Sequence, residues 1–129
     1  MEYKPAKTIA WESQSEEHFT GEAWFGPWSR VSKEGLNALN VLFAPGSRTD
    51  WHTHVEGQVL YCIGGAGLVQ TDAAETVEMS PGDVVYSPPG ERHWHGATPH
   101  KHFEQLSLTT GGDTEWFPEK VSDEDYHRR

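Results

Sequence analysis

The chain has 129 residues, with 10 Lys and Arg against 20 Asp and Glu, so its formal net charge is −10. This length fits one domain and is too short for two independent hydrophobic cores. The deficit of positive charge argues against binding to the phosphates of nucleic acid. No apolar run approaches the roughly 20 residues of a membrane span. We therefore expect one domain whose partners include neither nucleic acid nor a membrane.

The first residues and the cysteine content predict the compartment. The stretch from Met1 to Pro5 lacks the apolar segment of a signal peptide. Cys62 is the single cysteine of the chain, so no intramolecular disulfide can form. We expect a cytoplasmic protein.

Short apolar runs alternate with turns that contain Gly or Pro along most of the chain. Aromatic residues between His18 and Trp28 predict a first strand or an arm packed on the body, and the period-2 pattern from Leu39 to Phe43 predicts a strand. The further predicted strands cover residues 59–63, 66–71, 76–79, 83–87, 92–97 and 103–109. Strands of this length and spacing favour an all-β sandwich or barrel.

The C-terminus alone is helical in character. Ser122 precedes three acidic residues, which is typical of a helix N-cap and first turn, while Arg128 and Arg129 suit the opposite end of the helix dipole. The segment predicts either a short helix or a frayed tail.

Histidines are concentrated in pairs. His52 and His54 form one His-x-His pair, and His93 and His95 form another. Residues i and i+2 of a strand project to the same face, so each pair presents two imidazoles to one place, as a divalent metal requires. A single such pair would favour exposed polar side chains, but two pairs favour a metal site. The third pair, at His100 and His102, is predicted to face solvent.

Three further sets of residues accompany these pairs. The amide oxygen of Gln58, which follows the first pair, is a plausible neutral fourth ligand, although a backbone partner at a strand edge is the alternative. Cys62 is predicted to be a small core residue. The candidates for the lining of a pocket, each equally explained as core, are Leu39, Val41, Leu60 and Leu106.

The spacing of these residues resembles the two motifs of the cupins. The first motif has Gln in place of the usual Glu and consists here of Gly46, His52, His54, Gln58 and Gly65. The second motif has Ala97 in place of the usual Asn and consists here of Gly82, Pro88, Gly90 and His93. The resemblance implies a double-stranded β-helix, or jelly-roll barrel, with a motif core at 36–109, an N-terminal arm at 1–28 and a C-terminal segment at 110–129.

The same resemblance implies a set of functional residues. His52, His54, Gln58 and His93 correspond to metal ligands. His95 lies outside this ligand set, and the resemblance implies that its imidazole either supports a ligand or takes part in catalysis. Nitrogen and oxygen ligands without a thiolate suit Mn, Fe, Ni, Co or Zn. Three neutral imidazoles and a neutral amide leave the ion its full charge and strengthen it as a Lewis acid.

A narrower resemblance concerns the segments from Trp51 to Gln58, Pro81 to Ala97 and Val121 to Arg129. They resemble small bacterial single-domain cupins, including the manganese-dependent hydroxynitrile lyases and the cupins associated with carboxymuconolactone decarboxylase. The resemblance implies a manganese-dependent lyase that acts on a small hydroxy or carbonyl compound, with His95 moving the proton. The alternatives are a metal-dependent dioxygenase or sugar-acid-processing enzyme, and a non-catalytic protein that binds a small ligand.

Aromatic residues near the two ends of the chain remain to be placed. They are predicted either to pack across the two-fold interface of a homodimer, which the resemblance also implies, or to cap the barrel of their own chain. These residues are Trp24, Trp28, Trp116 and Phe117.

Overall fold

The computed structural model describes residues 1–8, 10–26, 31–33 and 35–128, and strands dominate these ranges. The strands are β1 (Glu12–Ser13), β2 (Phe19–Thr20), β3 (Ala23–Phe25), β4 (Val31–Lys33), β5 (Leu36–Phe43), β6 (Arg48–Thr49), β7 (His52–Thr53), β8 (Gln58–Gly65), β9 (Gly67–Thr71), β10 (Thr76–Met79), β11 (Val84–Ser87), β12 (His93–Ala97), β13 (Phe103–Thr110) and β14 (Glu115–Trp116). A 3₁₀ helix spans Ala6–Thr8, and an α-helix, α1, spans Asp123–His127. No helix within the described ranges is both long enough and apolar enough to cross a membrane.

The strands form two antiparallel sheets. The first has the order β1-β3-β5-β13-β8-β11, with β4 also paired to β5. The second has the order β10-β9-β12-β6-β2, and β7 joins it by pairing with β12 and β14. The inner faces of both sheets contribute to one hydrophobic core, since Phe43 and Leu60 of the first sheet pack with Val69 and Ala97 of the second. The prediction of an all-β fold is confirmed.

Alternation along the central strands decides which side chains enter this core. In β8, Leu60 and Cys62 are buried, whereas Tyr61 and Ile63 face outward. A strand with one buried face shows this period of two because successive side chains point to opposite sides of the sheet. The prediction that Cys62 is a core residue is confirmed.

The C-terminal segment is docked and helical. The Ser122 hydroxyl oxygen accepts a hydrogen bond from the Asp125 backbone N–H at 3.1 Å, which makes Ser122 the N-cap of α1. Tyr126 is buried against Trp94 and donates to the Ala97 carbonyl oxygen at 2.7 Å. The Arg48 guanidinium lies 4.5 Å from the centre of the Tyr126 ring. These contacts confirm the predicted helix over the frayed tail and attach it to the second sheet.

Candidate metal centre and its cavity

Four buried imidazoles converge inside the barrel. His93 pairs with His52 across β12 and β7, so the two predicted His-x-His pairs meet side by side. The ring centre of His52 lies 4.4 Å from that of His93, 5.0 Å from that of His54 and 5.1 Å from that of His95. The structure therefore brings all four predicted site histidines together, while His100 and His102 are exposed as expected.

Backbone carbonyls orient two of these rings. The Nδ1 of His52 lies 2.8 Å from the Asp50 carbonyl oxygen, and the Nδ1 of His93 lies 2.9 Å from that of Glu91. A carbonyl oxygen only accepts, so each Nδ1 carries the proton and donates. The Nε2 of each ring is then left with a free lone pair, which is the form in which imidazole binds a metal.

Gln58 reaches the cluster through a tight turn. Gly57 has a φ of +89°, and a side chain there would meet the Ser87 carbonyl oxygen, so the turn depends on glycine. The Gln58 amide nitrogen donates to the Ser107 hydroxyl at 2.8 Å, which aims the amide oxygen at the Nε2 of His93, 3.1 Å away. Both atoms are acceptors in this tautomer, so the contact is favourable only when they share a positively charged group.

The nitrogen and oxygen atoms of this cluster are suitable ligands for a divalent metal. Among the described residues, the buried Nε2 of His54 has no hydrogen-bond partner, which adds an unused acceptor beside the facing pair of Gln58 and His93. Ligand atoms of His52, His93 and His95 all lie within 4.8 Å of one another. This triad includes His95, which the cupin resemblance places outside the ligand set, and leaves out His54, which the resemblance implies to be a ligand.

Burial keeps the imidazoles neutral at physiological pH. Desolvation lowers the pKa of His54 to about 4, with a further contribution from the neighbouring His93. Desolvation also lowers the pKa of His93, and it lowers those of His52 and His95 well below the usual value, assisted by the other imidazoles of the cluster. Neutral rings keep their lone pairs, so the cluster is able to bind a cation without first losing protons.

His95 differs from the other rings in its surroundings. It follows His93 by two residues on β12 and is 4% exposed. Its Nδ1 is buried and has no hydrogen-bond partner, and its ring meets the Phe43 ring edge-on, with 5.9 Å between centres. Within the part of the chain that the structure describes, no backbone carbonyl fixes its tautomer, so either ring nitrogen is available for a proton.

A cavity of about 310 Å³ opens beside the cluster. One part of its wall is apolar and another carries hydroxyl and amide groups. The apolar part comprises Phe19, Phe25, Ala38, Leu39, Val41, Phe43 and Trp116. The polar part includes Asn37, Thr49, Gln58, Gln105, Ser107, Thr109, Asp113 and Thr114.

The cavity corrects two of the four predicted pocket residues. Leu39 and Val41 line it, but Leu60 and Leu106 do not. Leu60 is fully enclosed in the core, and Leu106 is on the opposite face of β13 because Gln105 and Ser107 take the inward positions. The apolar character of Leu106 therefore did not identify the face of β13 that lines the cavity.

Trp116 is a site residue that sequence reasoning left unassigned. It pairs with His52 through β14 and β7, its ring centre is 4.8 Å from that of His52, and it stacks on His18 at 4.2 Å. Phe117 lies under the Arg92 guanidinium, 4.9 Å away. Both aromatics contact side chains of their own chain. Trp28 lies outside the described residues.

Two antiparallel sheets around an interior histidine cluster define a β-barrel protein with a candidate divalent-metal centre. Residues 39–109 match the cupin domain family, Cupin_2, and the chain belongs to that family. The chain is 38% identical over 132 aligned positions to the (R)-mandelonitrile lyase of Granulicella tundricola, covering 99% of this chain and 100% of that protein. The predicted cupin fold and the resemblance to hydroxynitrile lyases are confirmed.

Solved structures agree on the fold. A cupin-like protein from Thermotoga maritima superposes with a TM-score of 0.82 at 34% identity, over 88% of this chain and 89% of that one. The polyketide cyclase RemF from Streptomyces resistomycificus superposes with a TM-score of 0.74 at 17% identity, over 98% of this chain and 90% of that one. The second likeness concerns the fold alone.

Proposed function

We propose that the chain is a metal-dependent lyase that cleaves an aromatic hydroxynitrile into an aldehyde and hydrogen cyanide. The observation that carries this proposal is the cluster of buried, neutral imidazoles at the wall of an aromatic-lined cavity. Similarity over the full chain to an (R)-mandelonitrile lyase supports the same reaction.

His52, His54, Gln58 and His93 would hold the metal in this proposal, and Mn²⁺ is the ion proposed. The aimed amide oxygen of Gln58, the free Nε2 of His93 and the unpartnered Nε2 of His54 support this set. Imidazole and amide ligands without a thiolate suit a borderline or hard divalent ion. Such an ion supplies a Lewis acid that lowers the pKa of a hydroxyl group beside it.

The remaining residues of the cavity bind and orient the substrate. Phe19, Phe25 and Leu39 offer an apolar wall against which an aromatic ring packs. His95 accepts the hydroxyl proton of the substrate at a ring nitrogen. As the carbonyl forms, the bond between the carbinol carbon and the nitrile carbon breaks, and cyanide leaves with the electron pair. His95 then returns the proton to cyanide, so that the products are the aldehyde and hydrogen cyanide.

The test is the cleavage of mandelonitrile by protein purified without chelators. We expect benzaldehyde and cyanide to form in equal amounts, faster than in the protein-free reaction and preferentially from one enantiomer. Treatment with a chelator is expected to abolish the excess rate, and re-addition of Mn²⁺ to restore it. Cleavage no faster than in the protein-free reaction, from metal-loaded protein, would contradict the lyase proposal, and oxygen uptake with another substrate would favour a dioxygenase.

We infer further that the protein is a homodimer. The outer face of the first sheet carries contiguous apolar side chains, since Val84 of β11 pairs with Tyr61 of β8, and Tyr86 is their neighbour. Val84 and Tyr86 are each 60% exposed, and neither β8 nor β11 contains a charged residue in a chain of net charge −10. An uncharged apolar patch on a strongly acidic protein is typical of an interface, and a second copy offers the matching surface.

Sedimentation tests the dimer. The wild-type protein is expected to have twice the chain mass of 14.5 kDa. The variant Tyr86→Glu is expected to sediment as one chain, because two glutamates would be buried against each other at a two-fold interface. Val55→Glu is the control, since Val55 is 63% exposed and belongs to neither β8 nor β11, and it should remain dimeric. A wild-type mass of one chain would overturn the inference.

A further inference from the structure

Gln105 is a buried amide whose polar atoms have no hydrogen-bond partner in good geometry among the described residues. It lies at an inward position of β13, is 1% exposed and lines the cavity. Its register neighbours are Val41 of β5 and Cys62 of β8, neither of which has a strong hydrogen-bonding side chain. Both polar atoms of the Gln105 side chain are buried and unpartnered. Such an amide destabilises the protein unless something else satisfies it.

The other buried glutamines of the described residues are satisfied. Gln70 donates to the Thr76 hydroxyl at 3.0 Å, and its oxygen accepts from the Trp94 indole N–H at 3.0 Å. Gln58 donates to Ser107 and directs its oxygen at His93. Hydrogen bonds within the fold therefore account for the burial of Gln70, and the metal site accounts for the burial of Gln58. Neither accounts for the burial of Gln105.

A second unpartnered polar atom belongs to another residue of the same cavity wall. The Nδ1 of His95 is buried without a hydrogen bond, and the Gln105 amide is near enough to His95 to act on its ring, although no hydrogen bond of good geometry joins them. The cavity wall thus includes a histidine whose ring nitrogen is able to accept a hydroxyl proton, and beside it an amide whose N–H groups require an acceptor. A hydroxynitrile offers both partners, because its hydroxyl group and its nitrile group are bonded to the same carbon.

We propose that Gln105 binds the nitrile group of the substrate by donating a hydrogen bond from its amide Nε2 to the nitrile nitrogen. This inference rests on the proposed lyase function. When the carbon–carbon bond breaks, its electron pair leaves on cyanide, and the hydrogen bond from Gln105 stabilises that developing charge. The proton that His95 took from the hydroxyl group is then transferred to cyanide.

The experiment compares Gln105→Met with Gln70→Met, which makes the same change at a buried glutamine outside the cavity. For Gln105→Met, loaded with metal to the wild-type level, we expect kcat for mandelonitrile cleavage to fall about 10²-fold, as for the loss of one donor to a developing anion. Its unfolding temperature should equal or exceed that of the wild type, because an unpaired amide is removed. Gln70→Met should unfold at a lower temperature and keep the wild-type kcat.

Phenylacetonitrile provides a readout that does not depend on turnover, since it lacks the hydroxyl group and is not cleaved. The infrared stretching band of its nitrile is expected to shift on binding to the wild type, as for a hydrogen-bonded nitrile, and not to shift with Gln105→Met. This shift without mandelonitrile cleavage by the wild type would support the role of Gln105 and overturn the lyase proposal. An unshifted band, no binding, or a Gln105→Met variant with wild-type kcat would overturn the inference, as would a loss of stability like that of Gln70→Met.

Discussion

Replacing His52 and His54 together by alanine is expected to leave the purified protein without metal and without lyase activity. The wild-type protein should contain about one equivalent of Mn²⁺ per chain by elemental analysis. The double variant lacks two of the proposed ligands, and the free lone pairs of Gln58 and His93 do not suffice for a stable site. We expect the excess rate of mandelonitrile cleavage to fall at least about 10³-fold, since both the Lewis acid and its orientation are lost.

The chain offers a matched control for this experiment. His100 and His102 have the same spacing but are exposed and away from the cavity. The variant His100→Ala/His102→Ala should retain both metal and activity, which excludes nonspecific binding of metal by surface imidazoles. Metal retained in full by the His52→Ala/His54→Ala variant would contradict the proposed site. One equivalent of Fe, Ni, Co or Zn in the wild type would keep the site but replace the proposed ion.

The substitution His95→Ala is expected to separate proton transfer from metal binding. If His95 is the proton acceptor, the variant keeps its metal and loses about 10² to 10⁴-fold in kcat, the range typical of a general acid–base group. Free imidazole in the buffer should restore part of the activity, because the shortened side chain leaves space beside the cavity. The comparison matters because one ligand atom from each of His52, His93 and His95 lies within 4.8 Å of the others, which makes His95 a candidate ligand as well.

Elemental analysis decides between the two roles of His95. Loss of the metal from His95→Ala would make His95 a ligand, and the tight triad of His52, His93 and His95 would replace the set that includes His54. Retention of metal together with full turnover would remove His95 from the chemistry altogether. His93→Ala serves as the reference for a lost ligand, since His93 belongs to both sets.

The imidazole cluster could be predicted from the sequence because its signals are local. The side chains of residues i and i+2 of a strand lie on the same side of the sheet, so each His-x-His pair predicts two imidazoles that converge. The spacing of the histidines from Gly46, Gly65, Gly82 and Gly90 is likewise local, and it is this spacing that resembles the cupin motifs. The strands from β8 to β13 were predictable for the same reason, since apolar runs between Gly and Pro turns reflect local preferences.

The wall of the cavity could not be predicted in this way. Leu106 is apolar yet faces outward, and Gln105 is polar yet faces inward, because the register of β13 between β5 and β8 decides the inner face. Trp116 meets His52 only because β14 pairs with β7, a contact between distant parts of the chain. Nothing in the neighbouring residues indicates such a pairing.

By itself, the sequence determined the fold family, the convergence of the histidines and the amide that accompanies them. Only the tertiary structure decided which side chains line the cavity, how close His95 lies to the proposed ligands and which polar atoms are left without partners. The physical reason is that backbone period and turn chemistry act over a few residues, whereas burial and hydrogen bonding depend on which strands become neighbours. The unpaired amide of Gln105 is a feature that only the tertiary structure decides, since it is evident only when every surrounding strand is in place.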